Sequence, residues 1–395
     1  MGGVIALHLG CPGSALGWTG VNLFFVLSGF LITGILLQDK GSQHYYATFY
    51  CRRSLRIFPI YYLTIATLAF AGIATGESIS HLPYFATYTQ NWLYALYDVH
   101  VQFPWGASHT WSLAIEEQFY LLWPLAVAML PEQALLKLVV LIIILGNLSR
   151  DLVMHMAFLG PDSQWGAGYA FQYDMLAWGA LGAIIYRGNL LPQETLARLA
   201  KLGVVIGIAT LVFVRLHYGP NHMGPWRWLP DARGQLLFGG LGPFCLSIII
   251  LALLLTPLTN LLELRPIRYC GKISYGLYLY HWPLVVVISP LGFSSLTSGL
   301  LIASAALLIA ATSYHFFEQP ILRYKDRIAP RTLRPVQQAG GSDVKVAESD
   351  QFLLVGVRNY LGRVISIYPD RWKSPATCGF LATEQSFACS LLFVV

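Results

Sequence analysis

Five places in this 395-residue chain carry side chains able to do chemistry in otherwise apolar surroundings. His8 stands in MGGVIALHL, and imidazole is the side chain best suited to accept and return a proton near neutral pH. A hydrogen-bonded packing histidine is the plainer alternative. Glu116 and Glu117 interrupt the apolar run HTWSLAIEEQFYLLWP. One of them could hold a histidine in its working tautomer, pair with an arginine, or serve as a partnered structural carboxylate. Arg53 and Arg56 in FYCRRSLRIFPIYY are one helical turn apart and can face the same way. Such a fork grips phosphate or pyrophosphate well, although with Arg52 it also reads as a topology signal. His281 and Glu318 complete the set. Ionisable groups inside membrane spans usually face the bundle interior and mark sites or pathways.

The elements that must position these groups follow from composition. The chain is 56% hydrophobic and only 11% charged, with mean hydropathy +0.57. Average soluble chains are about 45–50% apolar and about a quarter charged. So few charges cannot coat a soluble globule of this length, which places the chain in a bilayer. Continuous rather than alternating apolar runs favour helices over a transmembrane barrel. The runs fall roughly at 17–37, 57–74, 110–130, 135–148, 173–186, 199–216, 235–256, 273–289 and 296–317, about nine crossings. The aromatic segment 82–97 is shorter and more polar, and reads as a re-entrant or interfacial piece.

The net charge of +6 is distributed as an orientation signal, and nucleic acid is not an expected partner. Arg52, Arg53 and Arg56 precede one run, and Arg187, Arg198 and Lys201 lie between two others. Arg265, Arg268 and Lys272 precede a further run, and Arg323, Lys325, Arg327 and Arg331 follow the last. With these spans all four clusters share one face, expected to be cytoplasmic; Arg227 and Arg233 on the other face are a mild exception. Residues 1–332 are thus expected to form the transmembrane domain and 333–395 a polar cytoplasmic tail. Parity makes Met1–Leu9 the outer end of a helix only partly present. No cleavable signal peptide is visible. The six cysteines show neither a CxxC pair nor metal-ligand spacing, so no metal is expected. Walker, dinucleotide and GxSxG signatures are absent.

Five stretches occur in order: GVNLFFVLSGFLIT, FYCRRSLRIFPIYYL, HTWSLAIEEQFYLLWP, KISYGLYLYHWPL and SYHFFEQPIL. Together, over roughly residues 4–325, they closely resemble the acyltransferase-3 family of bacterial integral membrane O-acyltransferases. The resemblance implies an all-α polytopic bundle of ten spans in the bacterial cytoplasmic (inner) membrane. It implies transfer of an acyl group, commonly acetyl, from acyl-coenzyme A to a hydroxyl of a carbohydrate or lipid-linked glycan. By position, His8 matches the histidine proposed to serve in acyl transfer, and Glu116 the carboxylate of the WSLxxE motif. Arg53 and Arg56 match an arginine pair thought to engage the cofactor's phosphates. Ser28, Trp111, Ser112, Tyr120, Tyr275, His281 and Glu318 match further motif positions, expected to line or brace the core. The family pattern also places a basic residue about eleven positions before the histidine, whereas this chain starts seven before His8. Hence the expectation is a stand-alone, N-terminally short member. The rival readings are a carrier without acyl chemistry, since buried His and Glu also suit proton-coupled transport, and a truncated inactive member. No internal repeat, common in carriers, is visible.

Overall fold

The computed structural model describes residues 19–96, 106–155, 172–218, 232–255 and 260–328, which fall within one compact unit. His8, the partial first span and the 333–395 tail lie outside the described residues. Among the described residues there are helices and no strand. Each apolar run becomes a helix: α1 (Thr19–Asp39), α2 (Tyr45–Ala74), α5 (Trp111–Met129), α6 (Glu132–His155) and α7 (Tyr173–Arg187). They are followed by α8 (Gln193–Tyr218), α9 (Ala232–Leu254), α10 (Arg265–Ile288) and α11 (Ser295–Ser313). The 82–97 segment forms two short helices, α3 (Leu82–Ala86) and α4 (Gln90–Leu96), rather than one piece. Five of the described helices are long and apolar enough to cross a membrane by length and composition.

Two boundaries differ from the hydropathy reading. Helix α2 starts at Tyr45, so Arg52, Arg53 and Arg56 sit inside it instead of preceding it. Its 30 residues span about 45 Å, against about 30 Å of hydrocarbon. At the other end of the chain α11 does not stop. It runs through a π-helical turn, Tyr314–Glu318, into α12 (Gln319–Ile328). Hydropathy windows register charge, and both extensions are polar, which is why the sequence hid them.

The helix α1 is the axis of the bundle. Its apolar window is 67% buried, against 11% for α6 and for α8. On the peripheral helices, Leu141, Leu145 and Leu148 of α6 and Val205, Ile206 and Val212 of α8 point outward. Lipid tails are as apolar as these side chains, so burial from water cannot hold such helices together; close packing must. At the centre it does so through glycine. A Cβ on Gly29 of α1 would lie 1.9 Å from the Leu176 carbonyl oxygen of α7, and one on Gly179 would lie 1.9 Å from that of Val26. Only glycine lets the two backbones approach so closely.

The connections gather the basic residues at one end. Lys40 Nζ, in the α1–α2 turn, donates to the Leu130 carbonyl in the α5–α6 turn at 2.7 Å. Gly188, after α7, abuts the Glu132 carboxylate at the start of α6. The α1–α2, α5–α6 and α7–α8 turns therefore meet at one end, and two of them adjoin basic clusters that the charge pattern assigned to one face; this is the basic end.

Candidate functional site

The site grows from α5, whose WSLAIEEQFY stretch places Ser112, Glu116 and Tyr120 a turn apart on one buried stripe. The Tyr120 hydroxyl donates to Glu116 Oε1 at 2.9 Å. Ser28 of α1 hydrogen-bonds the same hydroxyl. With the tyrosine proton committed to the carboxylate, Ser28 is the donor, and the chain runs Ser28 to Tyr120 to Glu116. From α2 the Arg53 guanidinium lies over the Tyr120 ring, 5.1 Å from its centroid, a cation–π placement. Glu116 and Glu117 are within its electrostatic reach. An arginine inside a bundle is costly unless its charge is met. Here an aromatic face covers it and two carboxylates lie within electrostatic reach.

Arg56, one turn along α2, has Glu318 as its electrostatic neighbour. Glu318 closes the π-helical turn, a type of insertion that often marks functional sites in helices. The extra residue per turn brings a carboxylate into the interior at a point where α11 is otherwise lipid-facing; Glu318 is 8% exposed. Gly276 of α10 lies against it, since a Cβ there would be 3.5 Å from Glu318 Oε1.

A second polar cluster sits where α5 begins. The Tyr278 hydroxyl donates to the His109 carbonyl at 2.6 Å and hydrogen-bonds Ser112. His281 Nδ1 donates to the Tyr278 carbonyl at 2.6 Å, which fixes its tautomer. The His109 and His281 rings meet edge to face at 5.0 Å. This cluster ties the start of α5 to α10. Below it, Gln90 of α4 donates to the Thr110 carbonyl at 2.8 Å and to the Tyr61 hydroxyl at 3.2 Å. Gln118 of α5 donates to the Tyr88 carbonyl at 2.6 Å and to Asn91 Oδ1 at 2.9 Å. The α3–α4 segment is thereby bound into the interior beside α2, as a re-entrant piece would be.

Of the residues singled out by sequence, the structure brings Ser28, Arg53, Glu116, Glu117 and Tyr120 together. It places Arg56 with Glu318, and Ser112 with His281. Trp111 packs edge-on against Phe25 at 5.9 Å. His8 lies outside the described residues, so its relation to either cluster is not described. Sequence reasoning passed over His109, Tyr278, Tyr88, Gln90 and Gln118. The first two stand inside quoted motifs, and the glutamines are amides in apolar stretches; that signal was available. Among the described residues no set of three or more His, Cys, Asp and Glu side chains converges to hold a metal.

A half-buried arginine beside a buried carboxylate and a buried tyrosine, inside an all-α polytopic bundle, defines a membrane protein with a polar reaction or transport core. Comparison narrows the class: residues 3–315 match the acyltransferase-3 family, described as "Acyltransferase domain", and the chain belongs to that family. It is 28% identical over 344 residues to the peptidoglycan O-acetyltransferase OatA of Listeria monocytogenes, covering 80% of this chain and 53% of the relative. It is 30% identical over 345 residues to the putative peptidoglycan O-acetyltransferase YrhL of Bacillus subtilis, covering 80% and 52%. The O-acetyltransferase OatA of Staphylococcus aureus is 28% identical over 348 residues, covering 81% and 55%. The chain thus spans about half the length of the curated relatives it matches. No solved structure matches it.

Proposed function

We propose that the chain is a membrane O-acetyltransferase. In this reading it moves an acetyl group from acetyl-coenzyme A, taken from the cytoplasmic side of the bacterial inner membrane, to a hydroxyl of a cell-envelope carbohydrate. Peptidoglycan is the acceptor named for its relatives, and a lipid-linked glycan presented among membrane lipids has the same hydroxyl chemistry. The observation that carries the reading is the placement of Arg53, its guanidinium over the Tyr120 ring and within electrostatic reach of Glu116 and Glu117, inside a bundle of this acyltransferase family.

A thioester is already activated, so the protein must orient the two substrates, remove the hydroxyl proton and steady the oxyanion. The alcohol oxygen attacks the thioester carbonyl, the C–S bond breaks, and the ester and free thiol leave. His8, by its match to the family histidine, takes the hydroxyl proton and returns it to the thiolate. Arg53 and Arg56 hold the donor's phosphates from the basic end. Glu116, locked by Tyr120 and Ser28, keeps Arg53 aimed and offers a carboxylate to orient the histidine.

Membranes containing the chain are incubated with acetyl-labelled acetyl-coenzyme A and peptidoglycan fragments. Base-labile label in the carbohydrate fraction is the expected result, lost in His8→Ala at an unchanged amount of membrane protein. Retained transfer in His8→Ala removes the histidine from the reaction. Label that moves across vesicles without forming an ester supports the carrier reading instead.

A further inference from the structure

Three buried polar atoms near the site have no hydrogen-bond partner: Tyr88 Oη, Tyr275 Oη and Glu318 Oε1. They come from three separate parts of the fold and belong to one neighbourhood. Tyr88 stacks on Tyr61 of α2, with ring centroids 4.3 Å apart, and interacts electrostatically with Tyr275. Tyr275 in turn interacts with Glu117, Glu116 and Glu318. It also packs against both hydrophobic clusters, the one around α1 and the one around Tyr61 and Tyr88. Glu318 reaches Arg56.

Buried polar atoms are nearly always hydrogen-bonded, and those that are not call for an explanation. Tyr88 adds a second anomaly. Its backbone lies at φ 55°, in the left-handed region that a bulky side chain rarely enters. Phe58 and Tyr62 pack around its ring, and Gln118 holds its carbonyl. The surroundings thus fix a strained residue whose hydroxyl bonds nothing in the protein. Strain of this kind tends to gather at ligand clamps.

We propose that Tyr88, Tyr275 and Glu318 recognise the neutral, amide-bearing arm of the donor, next to the phosphate-holding arginines. The inference rests on the donor reading above and names the part of the donor that these residues take. The chemistry matches: two phenol hydroxyls can donate to amide carbonyls, and a carboxylate oxygen accepts from an amide N–H or a hydroxyl. The position matches for two of the three: Glu318 is beside Arg56, and Tyr61, on which Tyr88 stacks, is five residues or about 7.5 Å further along α2 than Arg56. A chain held by its phosphates at Arg53 and Arg56 meets Glu318 there and Tyr88 further along the helix.

The test uses purified full chain in lipid nanodiscs and three probes: acetyl-coenzyme A, acetyl-pantetheine, which is the arm alone, and adenosine 3′,5′-diphosphate, which carries phosphates and no arm. Tyr88→Phe and Tyr275→Phe remove one hydroxyl each, and Glu318→Gln keeps the shape. Each should weaken acetyl-pantetheine binding by about five- to tenfold; the two Phe variants should leave the diphosphate unchanged, whereas Glu318→Gln also alters the neighbour of Arg56 and shifts diphosphate binding too. Thermal stability without ligand should not fall in the Phe variants, since the lost hydroxyls bond nothing in the protein. Unchanged acetyl-pantetheine affinity in the variants, or an equal loss for both fragments in the Phe variants, overturns the proposal while the donor reading stands. Failure of the unaltered chain to bind any of the three probes overturns both.

Discussion

Arg53 has its surroundings set before any substrate arrives: the Tyr120 ring lies 5.1 Å away, and Glu116 and Glu117 are within electrostatic reach. A signal for orientation alone needs only positive charge, so this arrangement makes a distinguishing prediction. Arg53→Ala or Arg56→Ala should weaken acetyl-coenzyme A binding by about ten- to a hundredfold, as loss of a hydrogen bond to a charged group does. Lys restores the charge and loses the planar fork. At position 53 it also stacks less well on Tyr120, so Arg53→Lys should recover less than Arg56→Lys. Titration of purified protein with the donor checks this, and full rescue by Lys would reduce both arginines to orientation signals. Tyr120→Phe should weaken donor binding less than Arg53→Ala, because the ring remains and only the Ser28–Glu116 relay is cut. At this scale the residue types were legible in the sequence, since charge in an apolar run stands out. Their partners were not: Arg53 and Tyr120 are 67 positions apart, and periodicity within a helix says nothing of which helix faces it.

Between elements, the decisive contact is the one that apolar patterning hides. The helices α1 and α7 meet backbone to backbone at Gly29 and Gly179, and a hydropathy window treats glycine as featureless. Gly29→Ala and Gly179→Val should force α1 and α7 apart and destabilise the bundle by about 1–3 kcal/mol, read as a lower unfolding temperature in detergent. Gly240→Ala is the control, because nothing lies within 4 Å of the added carbon; its stability should be unchanged or slightly higher. Existence of the long helices was readable from the apolar runs among the described residues, including the short α5–α6 and α7–α8 connections. Helix ends were not. The polar first turns of α2 and the π-helical turn before α12 carry Arg53, Arg56 and Glu318, and hydropathy discards those segments because they are polar. The local signal that ended the predicted spans is the chemistry that the structure folds inward.

For the molecule as a whole, charge bias and helix parity gave one orientation, and three of the turns that parity puts on one face share an end. Lys40 reaches across to Leu130, and Gly188 lies on Glu132. Single cysteines at 42 and at 191 should react with an impermeant thiol reagent from the same side, and a cysteine at 78 from the opposite side. Labelling of 42 and 78 from one side would break the parity. The account also requires that the donor be used from the basic end, because Arg53 and Arg56 lie toward it and the coenzyme is too highly charged to cross a bilayer. The most direct measurement compares sealed vesicles of the two orientations, each given acetyl-labelled acetyl-coenzyme A outside and peptidoglycan fragments on both sides. Ester label is predicted only where the Lys40 turn faces the added donor. Equal labelling in both orientations, labelling only in the other, or no ester in either would contradict it.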